Sequence, residues 1–316
     1  MFGTFKASPK RKKQKDGRMW NLSGIFTELG TSHMCIKFAE ENNLLPKTMM
    51  CPLHKTCMFL KQPDPDLVGD FYCIKDSCRS KTVISQARGT LFENTDLCLP
   101  RIFYLIYCFA QRFDESAAQL EDFIRGSRMS IDTIREWYVH YRQVIAKYQL
   151  YQQDHRGKMG GPQKIVRLYD YKFGFEKHGK GISIEGDWIL GIMEEGADNL
   201  IFELCPQDEH SSGSIMPLIQ KHVIRGTTIC AHAAGKYDFT SDHNYVICNR
   251  NTCDILNPNA AQRRLMIGLF NENISSTKII SAESILERIW RKNMEKRGEQ
   301  PFNGLIKALE YVYNCN

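Results

Sequence analysis

The sequence lacks an apolar run long enough to cross a bilayer. Its longest runs, such as "IFYLIYCFA", fall well short of the ~20 residues a spanning helix needs, so no membrane partner is expected. It also lacks a signal-peptide type of apolar stretch near Met1; "MFGTFKASPKRKKQKDGR" is polar and basic, and routing to the secretory pathway is not expected. No internal repeat and no long low-complexity run occur, which excludes a solenoid or a collagen-like array. Charge of one sign is scarce as well: the net is +6 over 316 residues. Its one concentration is "KRKKQK", with Lys10, Arg11, Lys12, Lys13 and Lys15. A solvated basic arm of this kind suits a nuclear import receptor or a phosphate backbone.

Cysteine, by contrast, is plentiful. In a reducing compartment the twelve cysteines are expected to be metal ligands or small buried hydrophobes rather than disulfides. Cys35, Cys98, Cys108, Cys205, Cys230, Cys248, Cys253 and Cys315 are isolated and read as packed thiols. "CPLHKTC" followed by "DFYCIKDSC" is different: it offers Cys51 and His54, then Cys73 and Cys78. A Cys-x2-His knuckle and a Cys-x4-Cys knuckle supply the four borderline-soft ligands of a structural tetrahedral Zn²⁺ site, with Cys57 as an alternative to His54. Residues 51–80 carry too little periodic apolar content to fold without such a tie.

The remaining patterning is mixed α/β. Residues 1–20 read as the arm and 21–95 as a helical lead-in with the zinc ribbon; Thr31 or Ser32 caps a helix there. Residues 96–155 read as three helices. Ile102, Phe103, Leu105, Ile106 and Phe109 mark the first, and "RGSRMS" is a turn before a long third helix that Ser130 caps, a helix-turn-helix-like plan. "YQQDHRGKMGGPQ" reads as a linker. From 160 to 316 the period changes: "KIVRLYDYKF", "GDWILGIME", "NLIFELCP", "GTTICAHAA" and "NYVICNR" read as strands. "SSGSIMPLIQKHVI" reads as a helix, and two amphipathic helices close the chain.

In this order of parts, "RGTLFENTDL", "GGPQKIVRLYDYKFG" and "GDWILGIMEE" following the cysteine cluster resemble the Merlin-type DNA transposases and their insertion-sequence relatives, over about Leu44 to Met294. The resemblance implies a ribonuclease-H-like domain in which two aspartates and a glutamate hold two divalent metals for in-line phosphoryl transfer. Carried over residue by residue, the first aspartate's place holds Tyr169, the second holds His232, and "LERIWR" keeps the glutamate as Glu287 with Trp290 and Arg291. Tyr, His and Glu do not make a two-Mg²⁺ site, because Mg²⁺ takes hard oxygen ligands, so magnesium is not expected.

The expectation is therefore a catalytically degenerate, transposase-derived nuclear protein that binds DNA or chromatin, possesses a structural zinc and works with unknown proteins or as a homo-oligomer. The DNA contacts fall to the arm and to Arg125, Arg128 and Arg135. Two other readings stand beside it: an active nuclease using a displaced set such as Asp170, Asp187 and Glu287, and a protein-interaction scaffold.

Overall fold

The computed structural model describes residues 19–76, 78, 82–124, 126–172, 175–179, 181–185, 188–196, 200–205, 212–231, 245–248 and 282–314. The chain divides into two compact units. One comprises Met1–Ile134 and Met294–Lys307, the other Arg135–Asn293 and Ala308–Asn316. The division falls inside a helix and not at the Tyr151–Gln163 segment, because the later turns of that helix bury their apolar side against the second unit's sheet.

In the first unit, α1 (Leu22–Leu29) and α2 (Ser32–Glu41) are capped by Asn21 and Thr31, whose side chains accept from the amides of Gly24 and Met34. Such caps satisfy amides that the first helical turn leaves free. After α2 the chain reverses through Asn43 at φ 57°, a left-handed position that Asn tolerates. The strands β1 (Phe59–Lys61), β2 (Asp70–Tyr72) and β3 (Val83–Ser85) form an antiparallel sheet in that order. Its inner row, Leu60, Phe71 and Ile84, packs with Met58, Cys51 and Cys78.

Next come α3 (Leu99–Ala110) and α4 (Glu115–Leu120). The expected single apolar face of α3 is wider than its pattern suggested. Every residue from Leu99 to Ala110 except Arg101 is buried, as befits a helix that is apolar all round. Residues 121–130 then lead to α5 (Ile131–Asp154), which Ser130 caps through the Thr133 amide. That connection is longer than the tight turn of a helix-turn-helix. Arg101 braces it by pairing with Asp122 at 3.3 Å and donating to the Ser127 carbonyl at 2.6 Å.

The second unit contains β4 (Ile165–Lys172), the hairpin β5 (Phe175–Gly179) and β6 (Gly181–Glu185), β7 (Trp188–Glu194) and β8 (Leu200–Leu204). Helix α6 (Ser212–His222), β9 (Thr228–Ala231) and β10 (Val246–Cys248) follow. The five-stranded sheet runs β10-β9-β4-β7-β8, with β4 parallel to β9 and antiparallel to β7. The hairpin was not foreseen. Cys230, expected to be a packed thiol, is disulfide-bonded, its partner lying outside the described side chains. Sequence spacing does not tell which strands become neighbours.

Period-two alternation gives this sheet two covered faces. Val166, Leu168, Leu190, Ile192, Ile201 and Ile229 pack with Ile215 and Ile219 of α6 and with Val223 just beyond it. Met193, Leu200 and Phe202 pack on the other side with Ala146 of α5 and with Ile285, Leu286 and Ile289 of α7 (Ala282–Arg297). Helix α8 (Pro301–Asn314) closes the described chain. The "GGPQ" segment is tied into this sheet. The Gly160 amide donates to Glu194 Oε2 and the Gly161 amide to Thr227 Oγ1. At Gly160, with φ +87°, a Cβ would stand 2.4 Å from Thr227 Oγ1, so only glycine fits.

Candidate functional site

The first knuckle is shaped by backbone hydrogen bonds. The Lys55 amide donates to the Cys51 carbonyl at 2.9 Å and the Cys51 amide to the Thr56 carbonyl at 2.8 Å, with Lys55 at φ 52°. This turn brings His54 back over Cys51. β2 delivers Cys73 from the other side, and a turn from Lys75 to Cys78 delivers the fourth group. The ligand atoms of Cys51, His54, Cys73 and Cys78 all lie within 4.8 Å of one another, so the cluster can hold a metal ion. His54 Nδ1 stands 3.6 Å from Cys51 Sγ and 3.5 Å from Cys73 Sγ. Cys57, the alternative ligand, does not join: it is exposed, and its thiol points to the Met58 carbonyl at 3.7 Å.

The thiols of the cluster are unequal. Hydrogen bonds from the Thr82 hydroxyl and backbone amide stabilise the Cys78 thiolate and lower its pKa to about 6. Cys51 is also lowered, chiefly by the His54 backbone amide. At Cys73 the Lys75 amide favours the thiolate, but burial and the adjoining thiols outweigh it and the pKa is raised.

Of the three carried-over acid positions, Tyr169 sits in β4, and its partly buried ring packs against the cluster under α5 and α7. His232 lies outside the described residues, as does Asp187; Asp170 lies in β4 with its side chain outside them. Glu287 of α7 is fully engaged by guanidinium groups. Arg142 Nε donates to Oε2 at 3.0 Å and Arg291 Nε to Oε1 at 2.6 Å. Reading the sequence missed Arg142. The available signal was its place on the same stripe of α5 as Ala146 and Leu150, both of which pack on the sheet. Beside Tyr169 on the same face, Arg167 pairs with Glu195 at 3.2 Å.

A second cluster also escaped the sequence, since its members come from three separate elements. Asp154, Glu203 and His222 bring metal-type ligand atoms together. Lys221 Nζ lies 2.7 Å from both carboxylates, and His222 Nε2 bonds Glu203 Oε1. Burial would raise Glu203, but the hydrogen bonds from His222 and Lys221 outweigh it and hold the carboxyl below its ordinary range. The ammonium group thus supplies a positive charge at this cluster.

Of the DNA candidates, Arg128 and Arg135 are exposed. Arg125 and the arm residues Lys10, Arg11, Lys12 and Lys13 lie outside the described residues.

Neither a family model nor a curated protein matches the chain.

Proposed function

We propose that the chain is a transposase-derived nuclear protein that binds DNA or chromatin, with a structural zinc centre and no complete two-metal catalytic site. The observation that carries the reading is Glu287. Two-metal phosphoryl transfer needs carboxylate oxygens free to coordinate. Here each Glu287 oxygen accepts from an arginine, and Tyr169, where the resemblance would put an aspartate, packs against the sheet's core. The sheet order supports the ribonuclease-H-like part of the reading. The central first strand, β4, has β7 antiparallel to it and β8 antiparallel to β7 on one side and, after a helix, the parallel strands β9 and β10 on the other.

The metal centre fits zinc. Bonds of about 2.3 Å to sulfur and about 2.0–2.1 Å to nitrogen at a tetrahedral angle separate S and N by about 3.6 Å. The separations from His54 Nδ1 to Cys51 and Cys73 are 3.6 and 3.5 Å. Four protein ligands leave no open position, which makes the role structural: zinc would join two knuckles to a sheet whose own core is small. The arm, Arg125, Arg128 and Arg135 supply the phosphate contacts, and "KRKKQK" the nuclear address.

The test is a pair of assays on zinc-loaded protein. Gel shift on mixed genomic DNA should weaken steeply with salt, with a slope near −0.9 per phosphate contacted. Neutralising Lys10–Lys13 should flatten that slope. Incubation of supercoiled DNA with Mg²⁺ or Mn²⁺ should leave it unnicked. Nicking that is lost in Glu287→Gln would refute the degenerate-site reading. Absence of any salt-sensitive shift would leave the protein-interaction scaffold in its place.

A further inference from the structure

Cys230 of β9 is disulfide-bonded, and neither the metal cluster nor the DNA reading uses that bond. Every other cysteine with a described side chain is a free thiol, so the second sulfur comes from Cys248, Cys253 or Cys315. Strand register chooses among the three. β10 lies parallel to β9 at the edge of the five-stranded sheet, and Cys248 is the direct partner of Cys230. Neighbouring strands run about 4.7–4.9 Å apart. A disulfide joins Cα atoms about 4.4–6.8 Å apart, so the backbone already stands at bonding distance.

The two ends of β10 are fastened differently. Tyr245, just before the strand, is buried in the core with α6 and donates to the Val223 carbonyl at 3.3 Å. The Val246 amide donates to the Thr227 carbonyl at 3.1 Å. Beyond that point the strand is only Val246–Cys248 and pairs with β9 alone. Alternation puts Val246 on the same face of β10 as Cys248. Val246 is 58% exposed, so small solutes reach that face of the edge strand. The compartment matters as well. Cys51, Cys73 and Cys78 hold a metal only as thiolates, and exposed Cys57 and Cys98 are free. Such a chain belongs where thiols are kept reduced, and a disulfide there responds to redox state.

We propose that Cys230 and Cys248 form a reversible thiol–disulfide site that latches the trailing end of β10 to the sheet. Its co-reactants are low-molecular-weight thiols of the glutathione class. In reduction a glutathione thiolate attacks one sulfur of the bond. A mixed disulfide forms, and the other cysteine leaves as a thiolate and takes up a proton. A second glutathione thiolate attacks the glutathione sulfur of the mixed disulfide and releases the remaining cysteine. One molecule of oxidised glutathione departs and the chain holds two thiols; the reverse sequence closes the latch. With the latch open, Tyr245 still holds the leading end of β10, and pairing with β9 alone holds the rest. A bond closing residues 230–248 restricts open conformations by on the order of 100-fold. This inference does not rest on the DNA reading.

The experiment equilibrates the zinc-loaded full chain with graded ratios of reduced to oxidised glutathione, then traps free thiols by alkylation in denaturant and maps peptides by mass. At oxidising ratios Cys230 should be found linked to Cys248, and across the series that link should open and re-form with zinc retained. Opening should quicken amide exchange at Ile247 and Cys248 by on the order of 100-fold and leave β4 unchanged. Cys248→Ser should exchange fast at every ratio, whereas Cys253→Ser should follow the wild type. Linkage of Cys230 to Cys253 or Cys315, a Cys230 alkylated at every ratio, a bond that no ratio opens, or equal exchange of β10 in both states overturns the proposal. The mapping and titration of the wild type decide it even where a variant fails to fold.

Discussion

Replacing Glu287 with glutamine should destabilise the protein, and the sign of that effect is diagnostic. The Arg291 side chain is 7% exposed and that of Glu287 15%, so removing the negative charge strands a buried guanidinium. Breaking a buried ion pair by removing one partner costs about 3–5 kcal/mol. Arg142, at 31% exposed, adds about 1 kcal/mol or less. Glutamine keeps one acceptor oxygen, so the lower end, about 3 kcal/mol, applies. For a unit of this size each kcal/mol shifts Tm by about 2–4 °C, giving a fall of about 6–12 °C. In a working two-metal site the opposite is expected: removing one of several crowded carboxylates relieves repulsion and leaves stability unchanged or raised. Scanning calorimetry of the zinc-loaded full chain, with Arg142→Gln as the milder comparison, reads the difference directly. A Glu287→Gln variant that melts at or above the wild-type temperature would refute the claim that Glu287 is a structural ion-pair partner.

Three further outcomes are expected. Cys78→Ser or strong chelation should release the bound metal and abolish amide-exchange protection across residues 51–85, while Cys57→Ser keeps both; equal metal loss in the two variants would show the ligand set to be wrong. The Gln153 side chain hydrogen-bonds both the amide and the carbonyl of Phe202, at 3.0 Å each, capping the edge strand β8. Gln153→Ala should therefore cost about 2–4 kcal/mol by leaving two buried backbone groups unpaired, measurable by urea unfolding. Finally, burial and then the Lys147 charge hold the His140 pKa below its ordinary value, so the unfolded chain binds that proton more readily. The associated stability is present above about pH 6.5 and is lost as pH falls below it toward the folded value. His140→Gln should flatten unfolding free energy across that window, and an unchanged pH profile would exclude His140 as the source.

The parts of the architecture that depend on local chemistry could be read from the chain. Thr31 and Ser130 cap the helices that follow them, and the strand segments from Ile165, Trp188, Leu200, Thr228 and Val246 lie where alternation placed them. The grouping of Cys51, His54, Cys73 and Cys78 into a cluster able to hold a metal could be read as well, because knuckle spacing is a local constraint. Other features were not legible. The turn read at "RGSRMS" is part of a longer connection, since the helix before it ends at Leu120, and Arg101, from a different helix, pairs with Asp122 and donates to the Ser127 carbonyl. Arg142 and Glu287 are 145 positions apart, and no periodicity links them.

The sequence by itself determined the helix caps at Thr31 and Ser130, the five strands of the larger sheet, and that four candidate ligands come in two knuckles. Each of these follows from interactions a few residues long. Only the tertiary structure decided that Cys57 stands aside from the cluster of Cys51, His54, Cys73 and Cys78, and that Glu287 spends both oxygens on arginines. The physical reason is that ion pairing and burial depend on distance in space, and for these residues that distance is set by how separate elements pack.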